Sequence, residues 1–198
     1  MQAGAKGTIY FVNGPSKPPV GKGSAEFSCP DKKFIRFKNN QYVGTVLSAI
    51  TELSYSTYIK LRDSTVDNIF IALQTDINSD GIWDYSLVFN PQYQTGRFVA
   101  GFPDQGPTLM NTWQTWNLLK GGWWLGVPNP NPSNGGGLFT LASFINKYPN
   151  ATIMNQDPSG PGALRIGGGA PVFAGPFIGN VDNFKIGING VTTTYDFE

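Results

Sequence analysis

The residues best suited to chemistry lie in one short segment, 76–84. Its pattern, Asp-x-Asn-x-Asp-Gly-x-x-Asp, places a short side-chain oxygen at alternate positions before a glycine. Such oxygens converge on one hard cation when the backbone turns sharply, and calcium loops use side chains at loop positions 1, 3, 5 and 9 with a carbonyl at position 7. The segment therefore predicts a calcium site formed by Asp76, Asn78, Asp80, the carbonyl of Ile82, and Asp84.

The charge balance of this segment favours a bound cation. Its three carboxylates repel one another, and no Lys or Arg occurs between Arg62 and Arg97 to offset them. Leu87 stands where a helix-loop-helix calcium hand carries a bidentate Glu, and the flanking segments have strand patterns. The loop therefore resembles the calcium loops of dockerin or thrombospondin-type repeats. The alternative is a solvated hairpin turn rich in Asp and Asn.

A second group of candidate residues consists of four tryptophans within twelve positions: Trp113, Trp116, Trp123 and Trp124. A flat indole stacks on the apolar face of a sugar ring while nearby amides and hydroxyls bind its hydroxyl groups, so the group predicts a glycan-binding surface. Positions 113 and 116 point to opposite faces of a strand, as do positions 123 and 124. We therefore expect at most one outward-facing tryptophan in each pair, with the other in the core.

Composition excludes several classes of function. The chain contains no histidine and one cysteine, Cys29, so Ser-His-Asp and Cys-His triads, cysteine-ligated zinc and intrachain disulfides are excluded. A net charge of +1 provides no electrostatic basis for nucleic-acid binding. No apolar run approaches the length of a membrane span. We expect neutral partners, no nucleic acid and no membrane insertion, and the sequence leaves the oligomeric state open.

The elements that must position these residues are mostly strands. Alternating apolar patterns predict strands at 8–12, 23–28, 33–37, 49–60, 97–102, 112–119, 181–188 and 191–197, and a central hairpin at 69–90. One helix is predicted at 140–148, because Thr140 is a suitable cap and Pro149 follows. The loops at 126–137 and 157–162 are expected to be functional or mobile. These elements predict one domain over residues 1–198, an all-β, two-sheet antiparallel sandwich, most simply a jelly roll.

Several short segments carry a family resemblance: GSAEF, LSYSTY, LVFNPQY, TWQTW, KYPNATI, VDNFKIGI and TYDFE. Together they resemble a jelly-roll domain of secreted and cell-surface bacterial proteins, whose sandwich is similar to those of concanavalin-type lectins and carbohydrate-binding modules. The resemblance covers nearly the whole chain and implies the fold and a secreted or cell-surface location; such domains are generally of unassigned role, and their similarity to lectins is one of fold.

Three functional hypotheses follow. The leading one is a secreted, non-catalytic carbohydrate-binding module with a structural calcium site and a glycan or polysaccharide as its partner. The second is a structural or adhesive surface module that binds protein or itself. The third is a glycan-cleaving enzyme, which requires two carboxyl groups flanking the scissile bond.

Overall fold

Two antiparallel sheets pack face to face in the computed structural model, which describes residues 7–30, 33–65, 68–126, 132, 137–154, 162–169 and 175–198. Within these ranges the chain is an all-β, two-sheet sandwich with one α-helix, which confirms the predicted fold class. No helix in the described ranges has the length and apolar character needed to cross a bilayer.

The first sheet, sheet A, is built around its two longest strands, β4 and β12. Its strand order is β1 (Thr8–Asn13), β2 (Gly23–Cys29), β12 (Phe177–Ile188), β4 (Ile50–Leu61) and β7 (Gln114–Asn117), and β13 (Val191–Tyr195) also pairs with β12. The β12–β13 hairpin turns at Asn189 and Gly190, which have φ values of 51° and 83°. Positive φ at both turn residues is what Asn-Gly supplies in a two-residue hairpin, so the predicted hairpin is confirmed.

The second sheet, sheet B, contains the central hairpin predicted from the alternating pattern. Its strand order is β3 (Phe34–Asn39), β11 (Leu164–Gly169), β5 (Ile69–Asp76), β6 (Tyr85–Phe89), β8 (Gly122–Leu125) and β9 (Phe139–Thr140), and β10 (Thr152–Ile153) also pairs with β5. Strand β5 is buried along most of its length because it has β11 and β10 on one side and β6 on the other.

The α-helix of the described residues, α1, spans Leu141–Lys147 and begins as the sequence predicted. The Thr140 hydroxyl accepts a hydrogen bond from the Ser143 amide at 2.9 Å, which is a standard N-cap. Leu141 and Phe144 are the buried residues of the helix, and the Phe144 ring lies 4.9 Å from that of Tyr148. Short 3₁₀ helices occur at Leu47–Ala49, Pro91–Tyr93 and Gly96–Val99.

Aromatic side chains join the two sheets across the core. Tyr55 of sheet A and Phe89 of sheet B meet edge to face with ring centroids 6.2 Å apart, and Phe89 contacts Trp123 at 5.7 Å. The Tyr55 hydroxyl donates to the Ile69 carbonyl at 2.9 Å, so its buried polar atom has a partner in the opposite sheet. This packing fixes how the outer faces of the two sheets lie relative to one another.

The strands of the structure differ from the predicted strands in two ways, and two predicted loops lie mostly outside the described residues. The strand predicted at 97–102 is wrong, because Gly96 and Gly101 have φ values of 58° and 89° and the chain there forms a 3₁₀ helix and a turn. Strands β8, β9, β10 and β11 were not predicted. The loops at 126–137 and 157–162 fall mostly outside the described residues.

Candidate functional site

The predicted calcium segment, residues 76–84, is the acidic loop that joins β5 to β6. The Asp84 amide donates to the Thr75 carbonyl at 2.9 Å, which closes the base of the loop. The Ser79 hydroxyl donates to the Asn150 carbonyl at 2.8 Å, so the loop also rests on the turn that follows α1. Ser79 and Gly81 have φ values of 60° and 83°, and these two positions make the turn sharp.

Asp76 is the centre of the acidic loop. It is only 3% exposed. Its Oδ1 accepts from the amides of Asn78 at 3.2 Å and Asp80 at 3.3 Å, and its Oδ2 accepts from the Gly81 amide at 2.7 Å. The backbone therefore wraps around this carboxylate, as it must when alternate side chains are to point inward.

The other predicted calcium ligands also lie in this turn. Asp80 accepts from the Ile82 amide at 2.8 Å and from the side-chain amide of Asn78 at 2.9 Å. Asp84 accepts from the Ile77 amide at 2.8 Å. All the predicted calcium ligands are oxygen atoms, which suits a hard cation. No group of three or more Asp, Glu or Cys side chains in the described ranges has the arrangement of a preformed metal site, so calcium binding stays a prediction.

Two of the four predicted tryptophans are core residues. Trp116 is 1% exposed and Trp123 is 0% exposed. Their indole nitrogens donate to the Thr57 hydroxyl and the Leu118 carbonyl, both at 2.8 Å. Neither ring presents a face to solvent, which removes both from a surface platform and confirms that one member of each pair is buried.

The other two tryptophans are half-buried and lie on opposite sides of the sandwich. Trp113 packs against Tyr58 with centroids 5.5 Å apart, on the outer side of sheet A, and its indole donates to the Pro15 carbonyl at 2.9 Å. Trp124 lies on the outer face of sheet B, because its neighbour Trp123 points into the core. Its indole donates to the side-chain oxygen of Asn90 at 2.8 Å.

A row of residues runs across the outer face of sheet B from Trp124 to Arg165. The strand registers place Arg165 opposite Ala72, Ala72 opposite Val88, and Val88 opposite Trp124. Adjacent strands are roughly 4.8 Å apart, so the row spans about 14 Å. The row ends in the aromatic Trp124 on one side and the charged Arg165 on the other, and the residues between them, Val88 and Ala72, are small.

Polar side chains flank this row. Gln74 donates to the Ser86 hydroxyl at 2.6 Å, and the Arg165 guanidinium lies 3.3 Å from the same oxygen. Burial lowers the pKa of Arg165 to about 10, with a further contribution from the nearby charge of Arg36. Arg165 is therefore still charged at neutral pH, and its Nε is buried without a partner.

Sequence reasoning missed Arg165 because it missed β11. The strand ends in three glycines, a composition that argues against a strand. The glycines make room for aromatic rings instead. A methyl carbon on Gly167 would overlap the Phe70 ring, and one on Gly168 would lie 3.0 Å from the Phe177 ring. A glycine run near several aromatics was the available signal.

Comparison with known proteins gives no match: no family model fits the chain, and no curated protein or solved structure is detectably similar to it. The resemblance to a jelly-roll, lectin-like domain therefore stays a prediction from the sequence.

Proposed function

We propose that this protein is a secreted or cell-surface carbohydrate-binding module without catalytic activity. The observation that carries the proposal is Trp124, a half-buried indole on the outer face of sheet B that donates to the half-buried side chain of Asn90. An amide group next to an aromatic face is a combination that binds a sugar ring in water.

The position of Trp124 suits a rigid platform. Its backbone is paired with Val88 in the sheet, and its indole nitrogen is held by Asn90 at 2.8 Å. A ring fixed in this way loses little conformational freedom when a ligand stacks on it. The row between Trp124 and Arg165 is itself buried, since Ala72 is 0% and Val88 8% exposed, so a sugar would contact the indole of Trp124 and the side chains at its edge.

The charge of this face favours sugars that carry carboxylates or sulfates. Arg36 and Arg165 lie near one another, and the one ion pair found among the described residues, Lys60 with Glu26, involves neither of them. Two guanidinium groups without a carboxylate partner repel each other, and an anionic ligand would relieve that repulsion. Acidic polysaccharides are therefore included with neutral ones as ligand candidates.

The acidic loop contributes structure to this proposal. Gln74 and Asp76 point to the same side of β5 because they are two residues apart, and Ser86 follows closely after Asp84. Calcium bound by Asp76, Asn78, Asp80, Asp84 and the Ile82 carbonyl would hold together the strand ends that carry the polar network. Its role is to fix geometry, with no part in a reaction.

The test is affinity electrophoresis of the whole chain through gels that contain neutral or uronate-rich polysaccharides, followed by calorimetry with the best ligand. Trp124→Ala should weaken binding by about tenfold or more, because a tryptophan that stacks on a ligand contributes strongly to affinity. Trp113→Ala is the matched control, since Trp113 is also half-buried and hydrogen-bonded but lies on the other sheet.

The two variants separate the possible results. Binding that survives Trp124→Ala and is lost in Trp113→Ala would contradict the assignment to sheet B. If no polysaccharide retards the protein while it associates with itself as its concentration rises, the structural or adhesive role replaces the proposal.

A further inference from the structure

Buried oxygen atoms without hydrogen-bond donors are concentrated on β12. Asn180 and Asp182 are both 0% exposed. The Oδ1 atoms of Asn180, Asp182 and Asn183 have no partner, and the described residues contain only two other such buried side-chain atoms. All three are acceptors, so this position lacks a donor or a positive charge. Buried polar atoms are normally paired, and exceptions of this kind need an explanation.

The loop between β1 and β2, residues 14–22, covers these oxygens. Its Val20 amide donates to the Oδ2 of Asp182 at 2.9 Å. The side-chain amide of Asn180 donates to the Ser24 hydroxyl at 3.0 Å, and that hydroxyl donates to the Gly14 carbonyl. The Asp182 carboxylate also lies beside the backbone amides of Asn183 and Phe197, while the Oδ1 atoms of Asn180 and Asp182 make no hydrogen bond of normal geometry. Both side chains belong to the outer face of sheet A, two residues apart on one strand.

Two more carboxylates lie against the same loop. The Lys22 amide donates to the Oε1 of Glu198. A methyl carbon on Gly21 would overlap the Glu198 carboxylate and lie 2.8 Å from the Oδ2 of Asp196. Asp196 and Glu198 are exposed residues, so this side of the cluster is open to solvent and to ions.

The charges in this cluster have the same sign. Asp182 is fully buried, and the exposed carboxylates of Asp196 and Glu198 lie against the same loop. None of the three carboxylates takes part in the ion pair found among the described residues. The cluster has acceptors and negative charge in excess.

We propose that Asp182 is the centre of a second calcium site, with the Asn180 carboxamide oxygen and the carboxylates of Asp196 and Glu198 as the other side-chain ligands. Calcium accepts six to eight oxygens of mixed kind in flexible geometry. Among the described residues no set of carboxylates alone forms a preformed site; here the buried amide and carboxylate oxygens supply the fixed part and the exposed carboxylates close over the ion.

This site is separate from the acidic loop, and it would have a different effect. It joins the chain's last residues, the loop at 14–22 and the middle of β12, which are distant in sequence. Calcium bound here would hold the C-terminal tail against sheet A. The inference stands whether or not the acidic loop binds calcium and whether or not Trp124 binds a sugar.

Calcium stoichiometry measured on the whole chain tests the proposal. After chelator treatment and gel filtration, calorimetry with calcium chloride is compared for the wild type, Asp80→Ala, Asp182→Asn and the double variant. Asp80→Ala should retain one ion, and the double variant should retain none or bind at least about tenfold more weakly. Glu52→Gln is the control, because Glu52 lies outside both clusters and accepts a hydrogen bond from the Thr192 hydroxyl at 2.7 Å.

A second readout avoids the risk that Asp182→Asn folds poorly. Asp196→Asn changes an exposed residue, and it should raise the melting temperature in EDTA, because it removes like-charge repulsion, while reducing the rise that calcium produces. Either of two results overturns the proposal: an Asp80→Ala protein that binds no calcium, or calcium binding to that protein that is unchanged by Asp182→Asn and Asp196→Asn.

Discussion

Gly21 lies where the last residues of the chain, Asp196 and Glu198, pack against the loop between β1 and β2. Its φ is 58°, a left-handed conformation that costs a residue with a Cβ about 1–2 kcal/mol. A side chain there would also overlap the Glu198 carboxylate. The backbone conformation therefore favours glycine, and a side chain at this position would also displace the Glu198 carboxylate from its hydrogen bond with the Lys22 amide.

Replacing Gly21 by alanine separates these two effects. Gly21→Ala should destabilise the protein by about 2–3 kcal/mol, because backbone strain adds to the loss of the hydrogen bond between the Lys22 amide and the displaced Glu198 carboxylate. Gly44 is a matched control: its φ is 83°, and a methyl carbon there would meet nothing within 4 Å. Gly44→Ala should cost only about 1–2 kcal/mol. Urea unfolding in EDTA measures both losses, and equal losses would contradict the packing of the tail against Gly21.

The four tryptophans show what residue spacing predicts and what it leaves open. Strand alternation predicted that each pair divides between core and surface, and Trp116 and Trp123 are indeed buried. It gave no sign of which sheet each exposed ring would lie on. That depends on the strand order, which places β7 at the edge of sheet A and β8 beside β6 in sheet B, and strand order is set by contacts distant in sequence.

At the scale of elements, local patterns predicted what local physics determines. The capped helix at 141–147 and the Asn-Gly hairpin follow from side-chain hydrogen bonds and turn conformation within a few residues. Strand β11 and the cluster around Asp182 do not follow from such local interactions. Gly168 of β11 packs against Phe27 and Phe177 of the other sheet, and Asp182 is covered by a loop more than a hundred residues earlier in the chain.

The acidic loop is the element whose role a single substitution tests best. Asp80→Asn keeps an oxygen to accept from the Ile82 amide but removes one negative charge. If calcium binds the loop, the variant should melt lower than the wild type in excess calcium by about 5–10 °C. In EDTA the two proteins should melt within about 1–2 °C of each other, because only an exposed hydrogen-bonded turn is altered.

Differential scanning calorimetry in both buffers provides the measurement, with Glu52→Gln as a control for the loss of a carboxylate elsewhere. An equal loss in calcium and in EDTA would mean that the loop is a hairpin turn stabilised by its own amides. In that case the strand ends that carry Gln74 and Ser86 are held by hydrogen bonds alone.

At the scale of the whole molecule, the two sheets divide the proposed roles. The outer face of sheet B carries Trp124, Arg165 and the polar network, and its strand ends carry the acidic loop. The outer face of sheet A is partly covered by the loop at 14–22 and carries the cluster around Asp182. Ligand binding on one sheet and calcium on the other would then be coupled only through the shared core, where Tyr55 and Phe89 meet.

The pH dependence of stability follows from the cluster around Asp182. Its pKa is raised in the folded protein, first by burial and then by the charge of Asp196. A folded pKa above the unfolded value of about 3.9 means that the folded state binds more protons in this window. Stability from this group is therefore fully present below the unfolded pKa and is lost as pH rises through the folded pKa. Glu26, which lies on the neighbouring strand β2 opposite Asn180, forms an ion pair with Lys60 at 2.5 Å.

Metal-free wild type should therefore gain melting temperature relative to Asp182→Asn as the pH falls from 7 to about 4, because the variant has no carboxyl group to protonate. Asp104 behaves in the opposite way, since the amides of Gly106 and Gly96 lower its pKa, but it is present in both proteins and cancels from the difference.

With calcium present the trend should reverse, because protons compete with the ion for Asp182. The wild type should then lose melting temperature relative to Asp182→Asn over the same pH range. Thermal unfolding at several pH values, with calcium and with EDTA, gives both curves. A difference between the two proteins that does not vary with pH in EDTA would mean that Asp182 titrates normally, and its burial would then impose no cost for an ion to relieve.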